Sequence, residues 1–306
     1  LELAASQNLQ SLSSTTLVLF AVSLKRLGLP DESQWVLQQA ERAYPSDFWV
    51  NVSLAELASD AGRTEDELRY WSISVALRPE NPVACTRLAS AMWKAGKNDR
   101  AIELLRASLR LDPELCSARE NLGVSLAVRG QTEQALSELK KAVSLQPDSA
   151  LTHNNLGWVF LHGNQDYEAA IAEFRKALRL DPQLALAQGN LVVALHYAGE
   201  VDAAIEVLGD AMKTKPDDAG FYNVVGAFWC DDKQEYDLAI EAFREAIRLR
   251  KDYSLAHRNL GNALRNKGMI MDAIASYNTA IAIRPGHAAA HVALANTYVE
   301  TYRSDL

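Results

Sequence analysis

The feature that most constrains this chain is a proline that recurs with a period of 34 residues. The series runs through Pro45, Pro79, Pro113 and Pro147, and after a one-residue slip it continues at Pro182, Pro216 and Pro285. A repeat of this length with helix-breaking prolines is the signature of stacked helical hairpins. Such an array makes an extended binding surface rather than an enclosed catalytic pocket, so the sequence predicts a docking surface.

Small residues keep the same register as the prolines. An alanine stands twelve residues before the proline position in successive repeats, at Ala101, Ala135, Ala170, Ala204, Ala239 and Ala273. Further upstream a second small residue recurs, at Ala21, Ala55, Ala89, Gly123, Gly157, Gly226 and Gly261. Small residues let two helices approach closely, while the bulky residues beside them fill the seam.

The fifth repeat carries the residues by which the family is recognised. Asn155-Leu156-Gly157, Ala170, Phe174, Ala177 and Pro182 match the Leu-Gly, Ala, Phe, Ala and Pro pattern, and the chain resembles the tetratricopeptide repeat family. The resemblance implies an all-α fold, a right-handed superhelical α-solenoid of stacked helix-turn-helix units. We expect a single solenoid over residues 1–306: a partial repeat at 1–13, full repeats at 14–47, 48–81, 82–115, 116–149, 150–184, 185–218, 219–253 and 254–287, and a capping helix at 288–306.

The turns give further predictions. A lone glycine ends the first helix of several repeats and indicates a left-handed helix C-cap, as at Gly96, Gly130, Gly199 and Gly268. Repeats five and seven hold one extra residue, at 163–165 and 232–234, which we expect to lengthen a loop without moving either helix. In Asp112-Pro113 and Asp181-Pro182 we expect the aspartate to act as N-cap and the proline as first helical residue.

Composition limits the partners and the compartment. The net charge of -8, from 31 basic and 39 acidic residues, disfavours nucleic acid, which requires a basic stripe. The apolar run from Leu17 to Leu24 is too short to span a membrane, so we expect neither a nucleic-acid nor a membrane partner. Three cysteines in different repeats form no disulfide framework. A reducing cytoplasm is therefore the predicted location.

The ends of the sequence suggest a piece of a longer protein. The chain begins at Leu1 rather than methionine and ends on one unpaired helix, at about 288–303. Residues 31–35 and 43–49 resemble the repeat region that follows the catalytic domain in some bacterial serine/threonine kinases. That resemblance implies a fragment that recruits substrates or partners for a kinase and carries no phosphoryl-transfer group itself.

Motifs for chemistry are absent from the sequence. It contains no phosphate loop, nucleophile elbow or kinase-type glycine loop, so we predict no enzyme activity and no cofactor. His287 and His291 stand four apart but lack a third ligand, so no metal site is predicted. His153, His257 and His291 occupy the fourth position of their repeats, where we expect packing residues.

The candidate binding residues lie on the first helix of each hairpin, which lines the concave groove in this family. A recurrent asparagine at one angular position forms a ladder of amides, Asn121, Asn155, Asn190 and Asn259. An amide both donates and accepts, so it can pair with any peptide unit of an extended ligand. The series resembles the asparagine ladder of protein O-glycosyltransferases, which implies binding of peptide backbones. Alternatively, these asparagines bond to neighbouring repeats and order the solenoid.

Neighbouring groove positions would supply selectivity. Beside the ladder and Asn154, an aromatic and apolar stretch suits the anchoring of a side chain, and it comprises Trp158, Val193, His196 and Tyr197. In the eighth repeat Arg258, Asn262 and Arg265 could hold a carboxylate, and Trp93 with Lys94 is a further candidate pair. The predicted function is a non-catalytic scaffold that binds an extended peptide or partner segment. The alternative is a module that self-associates through its terminal repeats.

Overall fold

The computed structural model describes residues 9, 12–213, 217–231 and 235–304. Within these residues the chain forms seventeen α-helices and contains no β-strand, which confirms the predicted all-α fold. The helices are α1 Ser14–Arg26, α2 Pro30–Ala43, α3 Phe48–Asp60, α4 Thr64–Leu77, α5 Pro82–Lys94, α6 Asn98–Leu111, α7 Cys116–Val128, α8 Thr132–Leu145, α9 Ala150–Val159, α10 Tyr167–Leu180, α11 Ala185–Tyr197, α12 Val201–Lys213, α13 Ala219–Asp231, α14 Tyr236–Leu249, α15 Ser254–Asn266, α16 Ile270–Ile283 and α17 Ala288–Ser304. A short π-helical turn, Phe160–Asn164, follows α9.

The helices pair into hairpins that stack within two compact units, residues 1–147 and 148–306. The first unit holds the hairpins α1–α2 to α7–α8, and the second holds α9–α10 to α15–α16 followed by α17. In both units a hairpin contacts the next one along the chain, as α4 contacts α5 and α14 contacts α15. A single solenoid over the whole chain stays a prediction. Pro216, residues 232–234 and most of the partial repeat at 1–13 lie outside the described residues.

The seam inside a hairpin is set by a small residue facing a large one. A Cβ atom added at Gly226 would lie 2.5 Å from Phe243 Cε1, and one at Gly261 would lie 2.5 Å from Tyr277 Cε1. Both aromatic side chains are almost completely buried. The glycines are therefore required by the close approach of the two helices, as the sequence predicted.

The predicted glycine caps are present. The glycines that follow the first helices have positive φ angles, which L-residues rarely adopt, at Gly28, Gly62, Gly96, Gly130, Gly199 and Gly268. In the fifth repeat the left-handed position is taken by Gln165, with φ 55°. The extra residue there forms the π-helical turn that extends α9, so the prediction of a simply lengthened loop is wrong for this repeat. π-bulges of this kind absorb one inserted residue without breaking the helix.

The Asp-Pro pairs end helices but do not begin them. Asp112 and Asp181 are the C-caps of α6 and α10, and their carboxylates accept backbone hydrogen bonds from Glu114 and Gln183 in the following turn. The next helices begin only at Cys116 and Ala185. The N-cap prediction is thus wrong at these pairs, because the side chain of each aspartate is used within the turn.

The fourth residue of a repeat often bonds to the backbone carbonyl six residues before it. The side chains that donate these bonds belong to Asn51, Cys85, Arg119, Gln188, His257 and His291. His153 is buried and its Nδ1 lies 2.6 Å from Glu173 Oε2. His291 is exposed, so the prediction that it is a packing residue is wrong. Its ring donates a hydrogen bond to the Pro285 carbonyl in the turn between two repeats instead.

Candidate functional site

Two neighbouring first helices of the second compact unit carry matching stripes. On α9 and its π-helical turn the stripe is Leu151, Asn155, Trp158 and His162, and on α11 it is Leu186, Asn190, Val193 and Tyr197. Spacings of four, three and four residues place such side chains along one face of a helix. We call these eight residues the docking face.

The docking face is open to solvent at its apolar positions. Leu151 is 48% exposed, Leu186 47% and Tyr197 56%. Trp158 and Val193 are partly buried and pack on the core beneath. Exposed apolar residues scattered singly are common, but several on one stripe, with an amide between them, match the composition of peptide-binding surfaces.

The asparagines of the ladder differ in what they bind. Asn190 Nδ2 donates to Asn154 Oδ1 at 3.0 Å, and Asn259 Nδ2 donates to Asn223 Oδ1 at 2.9 Å. Both acceptors are buried. These amides join consecutive repeats through side chains rather than through the backbone.

Asn121 and Asn155 complete the ladder. Asn121 Nδ2 donates to Ser90 Oγ of the preceding repeat at 3.0 Å. Asn155 makes no side-chain hydrogen bond within the described part of the chain and is partly exposed. Of the four amides, that of Asn155 is therefore the best placed to meet a ligand.

The seventh repeat replaces the asparagine with Val224. Its side chain faces Gly189 of the sixth repeat, where an added Cβ would lie 3.6 Å from Val224 Cβ. Gly189 and Asn154 stand at the same position of their repeats. The same contact between repeats is therefore an amide pair at Asn190–Asn154 and an apolar contact at Val224–Gly189. The series of asparagines is therefore interrupted at the seventh repeat, while the contact between the sixth and seventh repeats is kept.

A second group of side chains surrounds the turn ends of hairpins five to seven. The rings of Tyr167 and Tyr197 stack with centroids 5.7 Å apart, and His196 lies 4.9 Å from Tyr197 and 6.2 Å from Phe228. We call Tyr167, His196, Tyr197 and Phe228 the aromatic ledge. Beside the ledge, the ring centroids of Trp158 and His162 lie 4.9 Å apart. Trp158, His196 and Tyr197 were predicted from the sequence as candidate binding residues, whereas Tyr167, His162 and Phe228 were not.

The basic candidates of the eighth repeat gather around a buried tyrosine. Tyr277 Oη donates to Asn262 Oδ1 at 2.8 Å. Burial raises the pKa of Tyr277, and the nearby charges of Arg265 and Arg258 oppose that rise. Arg258 Nε is buried without a hydrogen-bond partner among the described residues. Arg258, Asn262 and Arg265 follow one another at spacings of four and three residues along α15, and a carboxylate site at these residues stays a prediction.

Three family models match stretches of this chain. Models described as tetratricopeptide repeat match residues 86–150, 121–185 and 161–227, and one described as TPR repeat matches 232–268 and 261–301. Together they span most of the chain. The chain belongs to the tetratricopeptide repeat family. Tetratricopeptide repeats imply a protein–protein interaction scaffold and are typically non-catalytic.

Solved structures share this fold. A tetratricopeptide repeat protein from Parabacteroides merdae superposes with a TM-score of 0.71 at 14% identity, covering 82% of this chain and 98% of its own. Human IFIT1, solved as a dimer with m7Gppp-AAAA, gives 0.63 at 16% identity, covering 89% and 72%. Cut9 with Hcn1, of the APC/C, gives 0.56 at 19%, covering 92% and 48%. Curated protein sequences give no match. At these identities the likeness concerns the fold alone.

The remaining candidates lie on the tetratricopeptide repeats of the first compact unit. Trp93 is partly buried on α5 and Asn121 lies on α7. Lys94 Nζ lies 3.0 Å from both carboxylate oxygens of Glu67 and 2.9 Å from Ser59 Oγ. Lys94 therefore bonds to side chains of the preceding repeat. Of the predicted pair, only Trp93 is then left to contact a ligand.

Sequence reasoning missed the apolar residues in the first turn of the first helices. Trp49, Val83, Leu151 and Leu186 occupy the second position of their tetratricopeptide repeats and are all about half exposed. A helix that buries one face should carry polar residues at such a position. The recurrence of apolar residues there is the signal that could have found them.

The described part of the chain contains no helix long and apolar enough to cross a membrane. No group of three or more metal-ligating side chains occurs among the described residues. His287 Nδ1 lies 2.8 Å from Ser254 Oγ, and His291 Nε2 donates to the Pro285 carbonyl, so both rings already take part in hydrogen bonds with the chain.

Proposed function

We propose that this chain is a non-catalytic docking scaffold that binds an extended segment of a partner protein along the docking face of α9 and α11. The observation that carries the proposal is the pair of parallel stripes, in which exposed Leu151, Leu186 and Tyr197 flank the amide of Asn155. The leucines and the tyrosine offer sites for apolar side chains, and the amide can pair with a peptide unit. Affinity would come from the anchors, while the amide would fix the course of the backbone.

The proposal has two further parts. Arg258, Asn262 and Arg265 would hold a carboxylate of the partner, supported by the buried Nε of Arg258 that lacks a partner. A reducing compartment such as the cytoplasm is supported by Cys85, Cys116 and Cys230, which are buried free thiols. Attachment to a bacterial serine/threonine kinase stays a prediction from residues 31–35 and 43–49.

A peptide selected from a linear display library against the whole chain tests the docking face. Trp158→Ala is expected to weaken that peptide about tenfold or more, as expected when an aromatic anchor is removed. Asn155→Ala is expected to weaken it about threefold to tenfold without lowering the melting temperature, because its amide makes no described bond within the chain. Calorimetric titration and thermal unfolding measure the two effects.

Asn190→Ala is the matched control for the ladder. It leaves the buried Asn154 Oδ1 without its donor, so we expect a loss of stability of about 1–2 kcal/mol. Unchanged peptide affinity in both Asn155→Ala and Trp158→Ala would contradict the docking face. A fall in melting temperature with Asn155→Ala equal to that of Asn190→Ala would make Asn155 structural.

Self-association is a second candidate, favoured by the surface of α17. Val292, Tyr298 and Val299 are all exposed on this helix, and a second copy of the chain would bury them. Light scattering over a concentration series is expected to show a dimer whose dissociation constant rises about tenfold or more in Val299→Glu, because a charge enters an apolar contact. A monomeric mass at every concentration would exclude this candidate.

A further inference from the structure

The aromatic ledge runs across three hairpins and is open at one end. Phe228 is buried in the core beneath α11 and α13. His196 meets Phe228 edge to face, and Tyr197 stacks on Tyr167 with the ring planes 21° apart. Tyr197 is 56% exposed. The ring of Tyr197 is therefore exposed to solvent, while the neighbouring aromatic rings hold it in place.

Acidic residues stand beside the two tyrosines of the ledge. Residues 151–174 and 180–212 contain no lysine or arginine. Asp166 and Glu168 flank Tyr167, and Glu200 and Asp202 follow Tyr197 at the next turn. All four carboxylates are exposed, and none forms an ion pair with another described residue. The described surface beside Tyr167 and Tyr197 thus carries four carboxylates.

The neighbouring His162 adds no compensating charge at neutral pH. Partial burial lowers the pKa of its imidazole below the ordinary value, so the ring is neutral at pH 7. The Trp158 ring beside it is also uncharged.

Two other tyrosines of the chain each have a guanidinium group over the ring. Arg250 Cζ lies 3.4 Å from the centroid of Tyr253, and Arg69 Cζ lies 4.9 Å from that of Tyr70. No arginine or lysine of the described residues covers Tyr197 or Tyr167. The π face of an aromatic ring attracts a cation, more strongly when carboxylates lie nearby and the site is partly desolvated. The exposed ring of Tyr197 has no such cation among the described residues.

We propose that the aromatic ledge binds an arginine- or lysine-bearing segment of the partner protein, with the cationic side chain over Tyr197 and its charge balanced by the carboxylates of the two adjacent turns. This inference rests on the proposed docking function and specifies the partner's charge. Tyr197 belongs to both surfaces, so a segment on α9 and α11 can place a basic residue on the ledge. The acidic net charge of the chain assists encounter with such a partner.

Two blocked nonapeptides test the cation. One has a leucine near its start and two arginines near its end in a glycine and serine background, and the other replaces both arginines with glutamine. Binding to the whole chain is followed by amide chemical-shift changes in NMR titrations. The arginine peptide is expected to bind about tenfold tighter, with shifts concentrated at residues 158–167 and 196–202.

Variants separate the ledge from general charge attraction. Tyr197→Ala keeps every charge of the chain and is expected to remove most of the tenfold preference, whereas Trp35→Ala, at an exposed aromatic residue (42%) on α2, keeps it. A double variant, Glu200→Gln with Asp202→Asn, is expected to lower the preference about threefold, with a weaker dependence on salt. An undiminished preference in Tyr197→Ala overturns the proposal.

The outcomes also separate this inference from the docking function. Equal affinity of the two nonapeptides overturns the cation site, while the docking face survives if Trp158→Ala weakens both. Binding by neither nonapeptide also overturns the cation site. The display-selected peptide, measured against Trp158→Ala and Asn155→Ala, then decides the docking face independently.

Discussion

Replacing Gly226 with alanine is expected to lower the free energy of unfolding by about 1–3 kcal/mol. The new methyl group would lie 2.5 Å from Cε1 and 2.6 Å from Cδ1 of Phe243, well inside van der Waals contact. Phe243 is almost completely buried, so its ring cannot move aside without displacing the core between α13 and α14. Urea-induced unfolding followed by circular dichroism measures the loss.

Two companion variants show whether the cost comes from the close approach. Gly209 lies in the exposed part of α12 with nothing within 4 Å of an added Cβ, so Gly209→Ala is expected to stabilise the chain by about 0.5–1 kcal/mol. Phe243→Leu with Gly226→Ala reproduces the alanine and leucine that occupy these positions in the third repeat, Ala89 and Leu105. We expect the double variant to be more stable than the sum of the single effects predicts. Strict additivity would contradict steric conflict as the cause.

Lys94→Met is expected to destabilise the first compact unit by about 2–3 kcal/mol. The substitution leaves the carboxylate of Glu67, which is only 4% exposed, without the ammonium group that bonds to both of its oxygens. Breaking a buried ion pair costs about 3–5 kcal/mol, and we reduce that figure because the Lys94 side chain is half exposed. Thermal unfolding followed by circular dichroism measures the change.

The control is an ion pair that also joins two repeats but lies in solvent. Lys25 pairs with Asp60, and both side chains are about half exposed, so Lys25→Met is expected to cost at most about 1 kcal/mol. Adding Glu67→Gln to Lys94→Met removes the stranded charge and is expected to recover more than half of the loss. Equal effects of Lys94→Met and Lys25→Met would show that burial of Glu67 does not govern the pair.

The asparagine ladder illustrates where prediction from the sequence stopped. The recurrence of Asn121, Asn155, Asn190 and Asn259 placed one amide at the same position of four first helices, but the hydrogen-bond partners of these amides could not be assigned from spacing. Asn190 and Asn259 bond to residues 36 positions earlier, a separation that depends on how one hairpin rests on the next. Asn155 differs from them only in its surroundings. The sequence thus predicted the set of candidates and left their individual roles open.

The turns between helices could be predicted from the sequence only in part. The glycine C-caps were predictable because a left-handed backbone requires a residue without a side chain. In the fifth repeat the inserted residue could either lengthen the loop or extend α9, and both choices satisfy the local sequence. The structure takes the second through a π-helical turn with Gln165 at φ 55°. Packing of Leu161 in the core beneath α11 accompanies that choice.

The repeat and the pairing of small with large residues could be read from the amino-acid sequence alone. These follow from a period of 34 residues and from local conformational preferences, which a chain carries whatever its partners. The amides that join repeats, the contact of Lys94 with Glu67 and the stacking of Tyr167 on Tyr197 could be assigned only from the folded structure. Those arrangements depend on side-chain rotamers and on the separation of helices distant in sequence. Such distances are set by core packing, which no local pattern specifies.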